Sequence, residues 1–342
     1  MSDGTPRTIR WGIVGCGEVA EVKSGPGFQK AAHSTLVAVM RRDAARAEDF
    51  ARRHGVPRWH TDADAIFEAP DIDAVYIATL PDTHREYALR CAAAGKAVYV
   101  EKPMAMDAAE CDAMIATCAS ASVPLWVGYY RRALPRFLAV RDRVRDGAIG
   151  AVREVVSRQS QRASTPGSGA RAWRADPARS GGGAFFEGAV HTLDFLDFLF
   201  GPLEVVRAHA ESRGGDARLE DRVDAGYRFA GGVTGSGAWD FAAAADFEFN
   251  EIIGTTGRIR YSTTRDVPIE LWRGDTLERI AIADPPHVHQ PLIQTIVDEL
   301  NGHGRCPSTG VSAARTARVV DAALQSLRAR SQAGDAAARG GG

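Results

Sequence analysis

Ile9-Arg10-Trp11-Gly12-Ile13-Val14-Gly15-Cys16-Gly17-Glu18-Val19-Ala20 decides how the first half of the chain is read. The strand-like run Ile9 to Val14 leads directly into a match to G-x-G-x-x-G/A. In that pattern the first glycine permits a tight turn and the second lets the backbone approach a pyrophosphate. The third position stays small so that helix and strand pack closely. Amides at the start of the next helix then face the phosphates. A plain tight turn is the competing reading of a glycine pair. The opening strand and the alternation beyond it favour dinucleotide binding by Gly15, Cys16, Gly17, Glu18 and Val19. Gly25-Pro26-Gly27 predicts a first helix that is short or interrupted.

Working outward, Thr35 to Met40 is a second strand, followed by helix from Asp43 to His54. Ala74 to Ala78 lacks polar alternation, as expected when both faces are covered. A helix opens at Pro81 and closes at Gly95, with proline early and glycine just past its end. Ala97 to Val100 is the next strand. Asp107 with Glu110 fits a capping box for a helix reaching about Ala121, and Leu125 to Val127 closes the series. This alternation predicts an α/β fold whose N-terminal domain, residues 7–127, is a Rossmann doubly wound parallel sheet.

After Gly128 the pattern changes. Arg132 to Gly147 reads as helix, Val152 to Gln161 as strand, and Ser164 to Gly183 as a long Gly/Ser/Arg/Pro-rich loop. A helix from about Phe186 to Phe200 precedes seven strand-like runs between Glu204 and Ile282. Such a meander predicts an open, mostly antiparallel sheet. Helices at about Val288 to Gly302 and Val311 to Ala329 complete a second α/β domain, residues 128–330. The small-residue tail 331–342 is expected to be disordered.

The chain has 342 residues, 45% hydrophobic and 25% charged, with a net charge of -1, which suits two soluble domains. No basic block supports nucleic-acid binding, and no run of about 18 apolar residues could span a membrane. The N-terminus lacks the apolar core of a secretory signal. Cys16, Cys91, Cys111, Cys118 and Cys306 follow neither CxxC spacing nor a disulfide framework. The expectation is a cytoplasmic protein without a metal.

Two features point to chemistry. Lys102, in Glu101-Lys102-Pro103, follows a buried-type strand, so it reaches the carboxyl edge of the sheet, where the glycine loop also lies. Glu187, His191 and Asp194 share one stripe of a helix, and a carboxylate one turn from a histidine can hold the ring ready to take a proton. At the tip of the second strand, Arg41 and Arg42 favour NADP over NAD, because guanidinium matches a 2′-phosphate. Asp43 there suits either a ribose ligand or the cap of the next helix.

These features together resemble the Gfo/Idh/MocA family (glucose-fructose oxidoreductase, inositol dehydrogenase, rhizopine catabolism). The resemblance covers about Ile9 to Leu327. It is carried by the Gly15-to-Ala20 loop, Thr79-Leu80-Pro81-Asp82-Thr83-His84, Ala94-Gly95-Lys96-Ala97-Val98 and Glu101-Lys102-Pro103. Gly128-Tyr129-Tyr130-Arg131-Arg132, Trp173-Arg174 and the Gly181-to-Asp194 stretch complete it. It implies NADP or NAD as cofactor, held also by Thr79, Pro81, His84, Glu101, Lys102, Trp173 and Arg174. It implies catalysis by Lys102 and His191 with Glu187, where the family usually carries aspartate. It further implies a sugar, cyclitol or polyol substrate lined by Tyr130, Arg131, Glu187 and His191, and a homodimer or homotetramer formed through the open sheet. His84 fits a local structural bond equally well. An NAD-dependent glycosidase of the same fold and a non-catalytic nucleotide sensor are the alternatives; a sensor needs neither Lys102 nor His191.

Overall fold

The computed structural model describes residues 6–162, 169–214 and 216–340. Six parallel strands form the first sheet: β1 Ile9–Val14, β2 Ser34–Met40, β3 Arg58–His60, β4 Ala74–Ile77, β5 Ala97–Val100 and β6 Leu125–Val127. Their spatial order is β3-β2-β1-β4-β5-β6, so the winding reverses between β1 and β4. Ligands of such sheets bind outside the carboxyl ends of the strands at that reversal. β4 and β5 read Ala-Val-Tyr-Ile and Ala-Val-Tyr-Val and are buried at every position.

Helices α1 Gly25–Lys30, α2 Ala44–His54, α3 Asp64–Phe67, α4 Pro81–Ala93 and α5 Ala108–Ser120 connect these strands. The interruption expected at Gly25-Pro26-Gly27 takes the form of a π turn, Ala20–Ser24, in which the Gly25 amide donates to the Ala20 carbonyl. Pro26 has no N–H to offer, and the wider turn before it lets the helix continue rather than stop. Asp43 proves to be the cap of α2: its carboxylate accepts the Arg46 amide at 3.1 Å. The short β3 and α3 have no counterpart in the sequence pattern, because three or four residues show no periodicity.

The second sheet has eight strands: β7 Val152–Arg162, β8 Leu203–Glu211, β9 Arg222–Phe229, β10 Thr234–Ala243, β11 Phe247–Gly254, β12 Gly257–Tyr261, β13 Ile269–Arg273 and β14 Thr276–Ile280. Their order is β14-β13-β12-β11-β7-β10-β9-β8. Every pair is antiparallel except β7 with β10. Four helices belong with it: α6 Pro135–Arg145, α7 Pro177–Ser180, α8 Ala184–Gly188 and α9 Val190–Phe200. Where the pattern predicts one helix from Phe186 to Phe200, there are two segments that meet at Ala189. There the Thr192 and Leu193 amides both donate to the Ala189 carbonyl, a local tightening of the turn. Of the expected loop Ser164 to Gly183, residues 164–168 lie outside the described ones. The remainder contains a 3₁₀ turn, Gly169–Ala175, and α7.

Two helices end the chain, α10 Gln290–Leu300 and α11 Gly310–Gly340. The chain forms two compact units: Met1–Ala105, Ala109–Leu134 and Asp284–Ala314 in the first, and Met106–Ala108, Pro135–Ala283 and Arg315–Gly342 in the second. The first unit thus reclaims 284–314, which the sequence pattern groups with 128–330. Several bonds fix this return: Ala32 N–H to Gln294 Oε1 at 2.7 Å, Trp126 Nε1–H to Glu299 Oε2 at 3.1 Å, and Ser308 Oγ–H to the Val127 carbonyl at 2.7 Å. Periodicity identifies such a helix but not the core it joins. Of the tail 331–342, α11 runs as far as Gly340, and 341–342 lie outside the described residues. Ala333 and Ala336 to Ala338 are strong helix formers, which outweighs the small-residue appearance of the segment.

Candidate active site

The residues of the first unit singled out by sequence gather at one edge of the parallel sheet. Gly15, Cys16 and Gly17 follow β1, and Glu18 and Val19 form the first helical turn. Gly15 has φ +95, and a Cβ there would lie 2.9 Å from the Ala78 backbone, so only glycine suits the turn. A Cβ on Gly17 would meet nothing closer than 3.9 Å, which leaves the open approach a pyrophosphate needs. The Gly15 and Cys16 amides both donate to the Met40 carbonyl at the end of β2, at 2.9 and 3.1 Å, and anchor the loop. The cradle therefore fits a dinucleotide. Burial pushes the Cys16 thiol up to about 11, so it stays protonated and inert.

Arg41 and Arg42 divide their work. The Arg41 guanidinium donates to the Cys16 carbonyl at 3.1 Å and braces the glycine loop, whereas Arg42 is exposed. With Asp43, also exposed, capping α2, Arg42 is a cation at the strand tip presented to solvent.

After β4 come Thr79, Pro81 and His84. Pro81 starts α4, and the Thr83 hydroxyl donates to Thr79 Oγ1 at 2.8 Å. His84 is 1% exposed, with Nδ1 2.9 Å from the Pro103 carbonyl and Nε2 3.2 Å from the Thr79 carbonyl. Burial lowers its pKa, against the pull of the Thr79, Pro103 and Met104 carbonyls. His84 thus links the loops after β4 and β5.

After β5 comes Glu101, only 6% exposed. Its Oε1 accepts the Tyr76 hydroxyl at 2.5 Å, and its Oε2 accepts the Lys102 amide at 3.1 Å. Burial pushes its carboxyl up, opposed by the Tyr76 hydrogen bond and then by Lys102. Glu101 therefore fixes the Lys102 peptide from beneath. Lys102 itself is half-buried. Beyond β6, Tyr130 and Arg131 are 7% and 8% exposed, with the guanidinium 4.9 Å from the tyrosine ring centre.

The second unit carries the other candidates. Trp173 and Arg174 lie on the 3₁₀ turn, with the Arg174 guanidinium 5.3 Å from the indole centre. Arg174 grips Glu187 on α8 with both arms, at 2.6 and 2.5 Å. Such a bidentate pair consumes much of the charge of each partner. Glu187 is thus bound to Arg174, an arrangement that its helical spacing from His191 does not reveal. His191, on α9, is 7% exposed. Asp194 is buried and accepts a long contact, 3.5 Å, from the Thr316 hydroxyl, while Arg315 binds Asp197 at 2.8 and 2.7 Å.

Two residues of consequence escape the sequence pattern. Glu220, 1% exposed, accepts the Gly183 amide at 2.8 Å and the Phe186 amide at 2.7 Å, which caps α8 just ahead of Glu187. His289, fully buried, lies behind Glu101. Neither has a local motif, because each finds its partner across a long stretch of chain. Among the described residues no group of three or more His, Cys, Asp or Glu is placed to hold a metal ion, and no helix is long and apolar enough to cross a membrane.

With this geometry established, comparison with known proteins gives a consistent answer. Residues 9–129 match the GFO_IDH_MocA family model, an oxidoreductase family with an NAD-binding Rossmann fold, and residues 137–260 match the GFO/IDH/MocA C-terminal domain. The chain belongs to this family of oxidoreductases. It is 37% identical to oxidoreductase P35 of Formosa agariphila, over 92% of this chain and 97% of that one. It is 33% identical to the inositol 2-dehydrogenase of Rhizobium meliloti, over 81% and 82%. Among solved structures, the aldose-aldose oxidoreductase of Caulobacter crescentus, crystallised with glycerol, aligns with a TM-score of 0.83 at 26% identity, over 94% and 98%.

Proposed function

We propose that this oxidoreductase interconverts a hydroxyl and a carbonyl on a sugar, cyclitol or related polyol, with NADP as preferred coenzyme. The observation that carries the reading is the placement of Lys102: it follows β5 at the carboxyl edge of the sheet whose β1 ends in the Gly15-to-Gly17 cradle. The relatives named as acting on inositol and aldoses support the substrate class. Exposed Arg42, beside an Asp43 already used as a cap, supports the phosphate-bearing coenzyme.

When bound, the nicotinamide supplies a hydride acceptor or donor. The protein supplies placement and electrostatics. Lys102 donates a hydrogen bond to the reacting oxygen and stabilises its developing charge. His191 takes the hydroxyl proton in oxidation and returns it in reduction, worth roughly 10²–10⁴ in rate. Glu187, clamped by Arg174, offers carboxylate lone pairs to neighbouring hydroxyls, and Tyr130 and Arg131 line the same polar substrate. The unit containing β7–β14 is the substrate-binding part, and its open sheet joins copies into a dimer or tetramer in the cytoplasm.

The test is a panel of neutral polyols, cyclitols, sugars and glycosides with each coenzyme, read by absorbance of reduced nicotinamide and by sugar release. A polyol or sugar is expected to reduce added coenzyme, and Lys102→Ala to abolish this while retaining the coenzyme-induced thermal shift. Sugar release from a glycoside without net reduction, or undiminished turnover in Lys102→Ala, contradicts the assignment.

A further inference from the structure

The segment 284–314 returns to the first unit and delivers His289 at the start of α10, into a fully buried aromatic nest. Its ring lies 4.5 Å from that of Tyr130, centre to centre, and 6.3 Å from those of Tyr76 and Tyr99. The Tyr99 hydroxyl is 2.8 Å from Nδ1, and the His289 amide donates to the Lys23 carbonyl at 3.3 Å. Nε2 is completely buried, has no hydrogen-bond partner at normal range, and lies 3.5 Å from Glu101 Oε1. A polar ring atom in the interior is costly unless it serves something.

We infer that His289 is a positioning residue for Lys102: its Nε2–H, fixed by a Tyr99 hydroxyl donated to Nδ1, faces the Glu101 carboxylate that anchors the Lys102 peptide. The inference rests on the assignment of Lys102 to the chemistry. The tautomer follows from the neighbours. If Nδ1 carried the proton, the Nε2 lone pair would point at a carboxylate already accepting from Tyr76 and from the Lys102 amide. With the proton on Nε2, donors converge on the carboxylate from β4, from Lys102 and from α10. The charged groups around the ring are Lys23, Arg131, Lys102 and Glu101, and the phenols are Tyr76, Tyr99 and Tyr130. Burial first, then the three cations, holds the imidazole neutral, with its pKa lowered to about 3. Glu101 is pushed toward protonation by burial, so removing a donor tips it further that way. The negative charge beside Lys102 is then lost, and the hydrogen bond that anchors its peptide is weakened.

Three measurements on the full-length enzyme decide the matter. Nitrogen chemical shifts of His289 should report the Nε2–H tautomer at neutral pH, without reference to turnover. His289→Phe keeps a ring against Tyr130 and removes both nitrogens. The kcat should fall about 10-fold, which is about 1.4 kcal/mol on the barrier. The pH at which kcat is half-maximal should move, and coenzyme affinity should stay unchanged. His289→Gln, which keeps a side-chain donor, should restore most of kcat. An Nδ1–H tautomer overturns the inference, as does a His289→Phe enzyme with wild-type kcat and pH profile. Should His289→Phe not fold, the tautomer and the His289→Gln profile still decide. A fully active Lys102→Ala enzyme overturns the proposed function instead, and leaves the tautomer result standing on its own.

Discussion

Glu220 offers the sharpest prediction about how the second unit presents its helix. Its carboxylate is 1% exposed and accepts two backbone amides, from Gly183 at 2.8 Å and from Phe186 at 2.7 Å. A carboxylate at a helix start satisfies amides that have no partner within the helix and suits the dipole. The turn leaves no slack, because a Cβ on Gly183 would fall 2.1 Å from the Glu220 carbonyl oxygen. Glu220→Gln preserves shape but points an NH₂ at one of the two amides, so one hydrogen bond to a charged group is lost, costing about 1.5–3 kcal/mol. Glu220→Ala strands both buried amides at about 1–3 kcal/mol each, roughly 2–6 kcal/mol in total. Urea unfolding followed by circular dichroism measures both losses, with the m-value checked for constancy. Activity should fall with stability retained near zero denaturant, since α8 carries Glu187 and α9 follows directly with His191. A Glu220→Gln enzyme within about 0.5 kcal/mol of wild type, the ordinary scatter of surface substitutions, would refute the capping argument.

Other expectations follow from the same geometry. Arg42→Asp should weaken NADP far more than NAD, because the proposed phosphate contact would be replaced by repulsion; titration of each coenzyme by intrinsic fluorescence checks it, and equal losses would count against the phosphate assignment. The buried histidines give the fold an acid sensitivity. His289 and His84 are held neutral by burial, with His289 at about 3, so the unfolded chain binds more protons below about pH 6.5. Stability must therefore fall with pH from there, by up to about 1.4 kcal/mol per unit for each ring. Glu101 and Glu220, whose carboxyls are raised by burial, act in the opposite sense above about pH 4.5, so the comparison is made by difference. His289→Gln should flatten the unfolding free energy between about pH 6.5 and 4.5 by close to one proton; parallel curves for the two proteins would show that the ring is not buried neutral.

Much of this fold is written locally. The glycine loop after Ile9–Val14, the unbroken apolar strands Ala74–Ile77 and Ala97–Val100, and Pro81 opening a helix each follow from short-range stereochemistry, and each strand of the meander is announced by alternation and turn residues. What the sequence could not reveal depends on partners remote along the chain. Residues 284–314 read correctly as a helix and a connection, yet nothing in their period says that they return to the first sheet through Gln294, Glu299 and Ser308. Among the candidate residues, the pattern singles out Lys102, His191 and the glycine loop from their local sequence. It cannot show that Glu187 is clamped by Arg174, that Arg41 braces a loop while Arg42 faces solvent, or that Glu220 and His289 find partners remote along the chain.

The central claim is direct carbon-to-nicotinamide transfer assisted by Lys102 and His191. It is tested by incubating the enzyme with a turned-over polyol deuterated at the reacting carbon and following the label by proton NMR. The account predicts deuterium at C4 of the reduced coenzyme, on one face only, and its disappearance in both Lys102→Ala and His191→Ala. Deuterium released to water, or transfer at undiminished rate in either variant, would contradict it.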